Sequence, residues 1–253
     1  MVKTSSVNRI VLKIALIISV SQLFILLILG NFPHMVSGKL VEFAHIAFMI
    51  FLNLILLVLV TSPLIYFLVI SPFVKARDEA ISQATHLAHF DLLTNLGNRR
   101  FIHQNLEKIK AQCDRRNVFG AIMLIDLNKF KKINDEYGHD AGDAILISVA
   151  EKLTKAVRSE DFVGRFGGDE FVILINYLDT DEQQSKNKAL TIAQKLQTEI
   201  NISIEFEDIE LKVGSSTGIC LFNSSDKSND ELIKRADIAM YRAKKANKKV
   251  IIY

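Results

Sequence analysis

Cysteine is scarce in this chain of 253 residues, which contains only Cys113 and Cys220. Neither has a partner at the spacing of a metal site. Both fall in the part of the chain that the membrane topology derived below assigns to the cytoplasm, where disulfides are rare. The sequence therefore argues against a disulfide framework and a cysteine metal centre. It predicts that both cysteines are small buried side chains.

A large excess of one charge is also lacking, because 31 Lys and Arg are offset by 28 Asp and Glu, for a net charge of +3. Nucleic-acid-binding domains usually carry a strongly basic patch or stripe. The basic residues here are not interleaved with aromatic residues that could stack on bases. We therefore expect no nucleic-acid partner.

Hydrophobic residues make up 49% of the chain, and two long apolar runs lie near its N-terminus. Ile10–Leu29 and Ala44–Ile70 could each cross a bilayer core of about 30 Å as a helix. The pattern predicts a membrane region over residues 1–71 with two transmembrane helices, at about 10–30 and 44–70. A signal sequence is the alternative for the first run, although its apolar part is longer than usual.

Basic residues flank the two runs and predict their orientation. The flanking residues are Lys3, Arg9, Lys13, Lys75 and Arg77. The connecting loop, Asn31 to Phe43, carries only Lys39 and Glu42, so the positive-inside rule places both termini in the cytoplasm. We expect a multi-pass protein of the inner (cytoplasmic) membrane, in contact with membrane lipid and without an extracytoplasmic domain, because the loop is short.

Residues 72–90 form a polar segment that predicts a helical linker. Apolar residues at alternating heptad-like steps fit a short parallel coiled coil, and an amphipathic helix resting on the next domain fits equally well. The following string, DLLTNLGNRR from Asp91, is rich in side chains that cap turns. We place the domain boundary there and assign residues 91–253 to one further domain.

Helical and strand-like patterns alternate through that domain. They predict helices at Leu92–Lys110, Gly138–Val157, Glu182–Ile200 and Asp230–Ala246, and strands at Val118–Leu127, Phe162–Phe166, Phe171–Ile175, Ile202–Phe206, Leu211–Phe222 and Val250–Tyr253. Because some neighbouring strands form hairpins, the pattern indicates an α+β fold and not a pure βαβ winding.

The string Gly167-Gly168-Asp169-Glu170-Phe171 joins two of those strands. Two glycines between apolar runs are typical of a hairpin turn, and glycine lets a ligand approach the backbone. The two carboxylates at the tip are hard oxygen ligands of the kind that Mg²⁺ prefers. An ordinary acidic turn fits the same residues, so the decision needs another part of the chain.

Asp126 supplies that other part, since it ends a buried apolar strand. A charge is costly there unless it is paired or bound to metal. A helix cap is the alternative reading. Together with Asp169 and Glu170, it would form a carboxylate cluster suited to a divalent metal and to phosphoryl chemistry.

Four motifs in order now show a resemblance. They are DLLTNLGNRR at Asp91, IDLNKFKKINDEYGHDAGD at Ile125, RSEDFVGRFGGDEF at Arg158 and ADIAMYRAKK at Ala236. The segment from Asp91 onward, about 160 residues, resembles the GGDEF domain of diguanylate cyclases. The resemblance implies a fold similar to adenylyl cyclase catalytic domains and polymerase palms, with a central, mostly antiparallel sheet flanked by helices.

The resemblance also implies a reaction, in which two GTP molecules condense into cyclic di-GMP and two pyrophosphates. Each domain would be a half-site holding one GTP, so a homodimer is expected. Mg²⁺ is the implied cofactor, with Mn²⁺ as the alternative and two ions per half-site. The matching metal ligands are Asp126, the carbonyl of Leu127, Asp169 and Glu170, and the matching catalytic residues are Asp169, Glu170 and Lys131.

The same resemblance assigns the substrate contacts. Asn134 and Asp143 match the pair that reads guanine, and His139 lies between them, ordering the pocket or touching the nucleotide. Lys244 and Lys248 match residues that meet the terminal phosphates. The family usually ends its last motif with GRN, where this chain has Asn247, Lys248 and Lys249. A lysine lacks the bidentate fork of arginine, so we expect weaker phosphate binding.

Arg158 and Asp161 form an RxxD string that ends five residues before Gly167. In isolation, this pair reads as a surface ion pair. In the family, the same spacing marks a site where cyclic di-GMP inhibits its own synthesis. Two competing functions remain: a catalytically silent GGDEF domain that binds GTP or cyclic di-GMP and signals to a partner, and a membrane-anchored scaffold.

Overall fold

The computed structural model describes residues 12–23, 39–223 and 228–253. The chain divides into two compact units, Met1–Gln83 and Ala84–Tyr253.

The first unit is helical. Helix α1 spans Leu12–Leu23 and α2 spans Lys39–Ile65, followed by a π-helical turn at Tyr66–Ile70 and by α3, Ser71–His89. Large apolar side chains between residues 46 and 70 are exposed, among them Phe48, Phe51 and Phe67. Within the described residues, one stretch of helix, Ile46–His89, is long and apolar enough to cross a membrane.

The predicted hairpin of two transmembrane helices is therefore supported for its second helix only. The described part of the predicted first span, Leu12–Leu23, is a shorter apolar helix. Residues 10–11 and 24–29 of that span lie outside the described residues. The predicted linker is helical, because α3 continues to His89.

The second unit contains a five-stranded mixed sheet. Its strands are β1 (Gly120–Asn128), β2 (Phe162–Gly167), β3 (Glu170–Ile175), β6 (Gly214–Phe222) and β7 (Val250–Ile252), in the order β2-β3-β1-β6-β7. All neighbours pair antiparallel except β6 and β7. Strands β4 (Ile204–Phe206) and β5 (Ile209–Leu211) form a separate hairpin.

Helices cover both faces of the sheet, which explains why β1 is apolar almost throughout. Their bounds are α4 Arg99–Arg116, α5 Phe130–Tyr137, α6 His139–Ala156, α7 Glu182–Ile200 and α8 Asn229–Lys245. Met123 and Ile125 pack in one core with α6 and α7, whereas Ile122 and Leu124 pack in a second core with α4 and α8. Because strand side chains alternate, Asp126 falls on the α4/α8 face.

Most predicted elements are confirmed, with three differences. The first predicted helix begins at Arg99 and not at Leu92, because Asn98 caps it by accepting from the Phe101 N–H at 3.0 Å. Helix α5 was not predicted, since its eight residues are too few to establish a helical period and only Ile133 among them is buried. The predicted strand Leu211–Phe222 is divided between β5 and β6.

Candidate active site

The register of the sheet brings two predicted site residues together. Asp126 on β1 lies directly opposite Glu170 on β3 and, on its other side, opposite Ser216 on β6. Directly opposed residues in a sheet have their Cβ atoms about 5 Å apart on one face. Asp126 is only 7% exposed, so its carboxylate requires a compensating partner.

Lys244 near the end of α8 is that partner. Its Nζ donates to both carboxylate oxygens of Asp126, at 2.8 and 3.0 Å. This hydrogen bond raises the pKa of Lys244 above its ordinary value, although partial burial opposes the rise. The predicted phosphate-binding lysine is thus paired with the predicted metal-binding aspartate.

Glu170 stands in a surplus of negative charge. Burial raises the pKa of its carboxyl, and the charges of Asp126, Asp169 and Asp237 raise it further, while Lys244 acts in the opposite direction. A bound cation would neutralise the excess negative charge of this group of carboxylates.

The turn itself is the two-residue loop Gly168-Asp169, reached through an irregularity in register after Arg165. Gly168 has φ 54°, a conformation that favours glycine. No described atom outside the adjoining residues would lie within 4 Å of a Cβ on Gly167 or Gly168, so the space before both is open. The Leu127 N–H donates to the Asp169 carbonyl at 3.2 Å, which ties the turn to the end of β1.

The chemistry of the carboxylates fits a magnesium ion, since they offer hard oxygen ligands and carry excess negative charge. Among the residues that the structure describes, no group of three or more His, Cys, Asp or Glu side chains already forms a metal cluster. Asp126 and Glu170 are neighbours in the sheet, and Lys244 compensates the charge of Asp126.

The predicted base-reading residues lie on the other face, where α5 packs against α6. Asn134 Oδ1 is buried there and accepts no hydrogen bond from any described residue. A Cβ on Gly142 would lie 1.8 Å from this oxygen, so glycine permits the close approach of the two helices. Asp143, the next residue, is exposed, as are His139 and Lys131. The structure therefore brings the two predicted guanine-reading residues near each other.

The two lysines of the last motif that were predicted to meet phosphates lie in different surroundings. Asn247, with φ 49°, lines a cavity of about 640 Å³ together with Lys244, whereas Lys248 does not. The Lys248 N–H donates to the Ala243 carbonyl at 2.9 Å, which closes the end of α8. The cavity also contains Lys129, Lys132 and Lys212. These three lysines had no role in the sequence prediction.

The RxxD string begins the same hairpin at its open end. The Asp161 carboxylate accepts from the backbone N–H groups of Arg158 at 3.1 Å and Asn176 at 3.0 Å. Burial raises the pKa of Asp161, and the two N–H donors oppose that rise. Arg158 and Asp161 line a cavity of about 380 Å³ that also contains Lys188 and Thr191 of α7.

Comparison with known proteins decides the family. The profile described as "Diguanylate cyclase, GGDEF domain" matches residues 88–250. The chain belongs to the GGDEF family. The described geometry of this GGDEF domain agrees with that assignment, because its namesake string forms the turn beside Asp126.

Two curated relatives of the GGDEF domain are named as diguanylate cyclases. The bifunctional diguanylate cyclase/cyclic di-GMP phosphodiesterase MucR of Pseudomonas aeruginosa is 38% identical over 170 residues, 67% of this chain and 23% of MucR. Diguanylate cyclase TpbB of the same organism is 36% identical over 172 residues, 68% of this chain and 38% of TpbB. The chain thus spans well under half the length of these curated relatives.

Solved GGDEF domains share the fold. The GGDEF domain of TpbB matches with 32% identity and a TM-score of 0.60, covering 65% of this chain and 94% of that one. A microbial GGDEF domain described in an interaction with cyclic di-GMP matches with 28% identity and a TM-score of 0.56, covering 67% and 99%.

Two residues of the GGDEF site were missed from the sequence. Asp237 raises the pKa of Glu170, and it is an exposed carboxylate of α8 in the ADIAMYRAKK motif. Arg165 donates from Nε and Nη2 to the Gly168 carbonyl, at 3.0 and 2.7 Å. Its position two residues before the glycine pair was the available signal.

Proposed function

We propose that this chain is a diguanylate cyclase that condenses two GTP molecules into cyclic di-GMP and two pyrophosphates. Each 3′-hydroxyl attacks the α-phosphate of the other nucleotide, so two phosphodiester bonds form and two bonds to pyrophosphate break. The observation that carries the proposal is the opposition of Asp126 and Glu170 beside the open GGDEF turn. The buried, unpaired Oδ1 of Asn134 supports it.

Asp126, the Leu127 carbonyl, Asp169 and Glu170 would hold two Mg²⁺ ions, with Mn²⁺ as a substitute. When bound, the metal neutralises charge that develops on the transferring phosphoryl group. Lys244 is already beside Asp126 and adds a positive charge for the phosphates. Lys131 adds another, and Lys248 contributes a more distant charge. The protein residues thus orient the nucleotide and counter its charge.

Base recognition is proposed for the α5/α6 pocket. Asn134 presents a buried carbonyl oxygen that can accept from a guanine N–H group. Asp143 follows Gly142, which packs against that same amide, and can accept from a second donor. His139 at the first residue of α6 orders the pocket entrance.

Catalysis is proposed to need a homodimer, because one GGDEF turn and one base pocket load one nucleotide. The helical unit is proposed to anchor the chain in the inner membrane through two spans, in contact with lipid, with both termini and the catalytic domain cytoplasmic. Support comes from the exposed apolar side chains between residues 46 and 70. The linker α3 is proposed to govern how two catalytic domains meet, as a coiled coil.

Product inhibition is proposed at Arg158 and Asp161. Arg158 is 70% exposed at its side chain and lies beside an apolar-walled cavity with Lys188. An exposed guanidinium suits a phosphate, and the Asp161 carboxylate suits a guanine N–H edge.

The test uses the full chain in detergent micelles with GTP and Mg²⁺. We expect cyclic di-GMP and pyrophosphate in a ratio of one to two, and none after the metal is chelated. Mixing wild-type chains with Asp126→Asn chains should lower product per wild-type chain in proportion to the wild-type fraction, because mixed dimers lack one half-site. Absence of product from a demonstrably dimeric sample would rule out the cyclase.

A silent receptor is the second candidate, and the Lys244–Asp126 ion pair favours it by satisfying the aspartate without metal. Calorimetry separates the two functions. Binding of cyclic di-GMP or GTP by the same dimeric sample, with no turnover, would establish the receptor.

A further inference from the structure

We propose that Arg165 is a positioning residue that sets the GGDEF turn by holding the Gly168 carbonyl and Asp91 at once, an inference that rests on the proposed cyclase activity. Its side chain is 12% exposed and donates in two directions. Nε and Nη2 donate to the Gly168 carbonyl, and Nη1 donates to Asp91 Oδ1 at 3.0 Å.

The turn is held at both of its carbonyl groups. Arg165 holds the Gly168 carbonyl, and the Leu127 N–H holds the Asp169 carbonyl. Two successive peptide groups of the turn therefore have fixed orientations. Arg165 thus orients the peptide before Asp169, and the Leu127 N–H orients the peptide before Glu170, so that Arg165 acts on the position of the carboxylates without touching substrate.

Asp91, which accepts from the other end of the Arg165 side chain, has further hydrogen bonds of its own. Asp91 Oδ1 also accepts from the backbone N–H of Thr94 at 2.9 Å and from its hydroxyl at 2.7 Å. The Asp91 N–H donates to the Leu96 carbonyl, and the Arg165 N–H donates to the Gly97 carbonyl, both at 2.8 Å. The loop that follows α3 is thus attached to β2 by backbone and to the GGDEF turn by one guanidinium.

Close packing leaves this attachment little freedom. A Cβ on Gly97 would lie 2.2 Å from the Phe162 ring, and one on Gly164 would lie 2.7 Å from the Gly97 carbonyl. The backbone segments that Arg165 bridges therefore cannot slide apart easily. A planar fork is needed to donate to an oxygen on each side, which a lysine ammonium on a flexible stem cannot reproduce.

The first test replaces Arg165 with lysine in the full chain in detergent micelles. Displacement of the carboxylates should lower kcat by about tenfold or more, with KM for GTP within about twofold, because the base pocket is untouched. Arg235→Lys is the matched control, since Arg235 pairs with Glu231 on α8. It should retain both constants. A wild-type kcat in folded Arg165→Lys would overturn the proposal.

The second test separates positioning from simple ion pairing. In the double variant Asp91→Arg with Arg165→Asp, the opposite charges remain, but aspartate has no N–H to donate to the Gly168 carbonyl. Because arginine at position 91 also cannot accept from Thr94, the thermal midpoint should stay below that of the wild type, so kcat is measured well below the midpoint, where it should remain at least about tenfold lower. If the exchange restores kcat, Arg165 acts only through its ion pair.

A readout independent of activity distinguishes this inference from the proposed function. Hydrogen exchange at the Leu127 amide reports its bond to the Asp169 carbonyl. Exchange should be faster in Arg165→Lys than in the wild type or Arg235→Lys, even if the chain makes no product. Unchanged exchange would overturn the inference, whereas a wild-type chain without product overturns only the cyclase. If Arg165→Lys does not fold, hydrogen exchange at the Leu127 amide is measured in Asp91→Asn instead. We expect faster exchange in that variant than in the wild type.

Discussion

The two ends of the β2–β3 hairpin satisfy their carboxylates in opposite ways. At the open end, two backbone N–H groups donate to Asp161, and Arg158 remains exposed. At the closed end, Glu170 is surrounded by other carboxylates, and only Lys244 is described as opposing them. One hairpin therefore has an exposed arginine at one end, 4.0 Å from Glu160, and an excess of carboxylates over lysine at the other. The first suits an anionic ligand and the second suits a cation.

The largest effect is expected at the closed end, for Asp126→Asn. Loss of one carboxylate weakens both the proposed metal site and the hold on Lys244. We expect the rate of cyclic di-GMP formation to fall by at least about 10²-fold, the scale seen when one preorganised electrostatic group is removed. Initial rates with saturating GTP and Mg²⁺ measure this. Glu151→Gln, an exposed carboxylate beside Lys155, is the control, and a variant that keeps half the rate would contradict the assignment.

Arg158→Ala tests the open end. Removal of a charged hydrogen-bond donor costs about 1.5–3 kcal/mol, so the cyclic di-GMP concentration for half-inhibition should rise by about 10- to 100-fold. Inhibition curves at fixed GTP give this value. Arg115→Ala changes an exposed arginine at the end of α4 and should leave the curve in place. An unshifted curve for Arg158→Ala would remove the electrostatic contrast between the two ends.

Gly168→Ala tests the geometry of the turn. At φ 54° a Cβ is strained, although it meets no described atom within 4 Å outside the adjoining residues. The left-handed conformation costs about 1–2 kcal/mol for a non-glycine residue, so the free energy of unfolding should fall by that amount. Chemical denaturation of the full chain measures the change. No loss of stability would show that the turn adopts another conformation in solution.

The smallest effects are opposite dependences of stability on pH. Burial raises the pKa of Asp91, but hydrogen bonds from Thr94 and Arg165 outweigh it and leave the pKa below 3.8. The stability that Asp91 contributes is present above pH 3.8 and is lost as the pH falls through the lower folded value. Burial raises the pKa of Asp161 above 3.8, so its contribution declines as the pH rises from 3.8 through the folded value.

Thermal midpoints between pH 3 and 6 provide the measurement. As the pH rises, the thermal midpoint of the wild type should increase relative to that of Asp91→Asn. Over the higher part of that range, it should decrease relative to that of Asp161→Asn. Parallel slopes for the two variants would contradict the opposite environments of these carboxylates.

The sheet was largely predictable because its strands are apolar and its hairpin has a glycine pair. The β2–β3 hairpin and helix Glu182–Ile200 confirm that local signals suffice where burial and turn chemistry agree. Helix α5 was not predicted, because it begins at Phe130 after Lys129, which has a left-handed conformation and gives no side-chain cap. Its stability comes from contact with α6, which is tertiary information.

The candidate site was predictable where a residue lies at the end of a recognisable strand. It was not predictable where two residues far apart in the sequence form an ion pair. Asp126 was found from its place at a strand end. Its ion pair with Lys244 joins residues 118 positions apart, and no local pattern reports it. Arg165 was missed for a similar reason, because its partner Asp91 lies in the loop before α4.

The unpaired oxygen of Asn134 has a consequence for substrate choice. A ligand that offers no donor to a buried acceptor binds with a large loss of free energy, because the acceptor stays unpaired. The loss of one methylene contact costs much less. Sites built on such polar groups can reject an analogue without the matching donor by about 10⁴-fold. Adenine presents a bare ring nitrogen where guanine presents an N–H. In the proposed role of Asn134, the domain would select its nucleotide chiefly by excluding the wrong base.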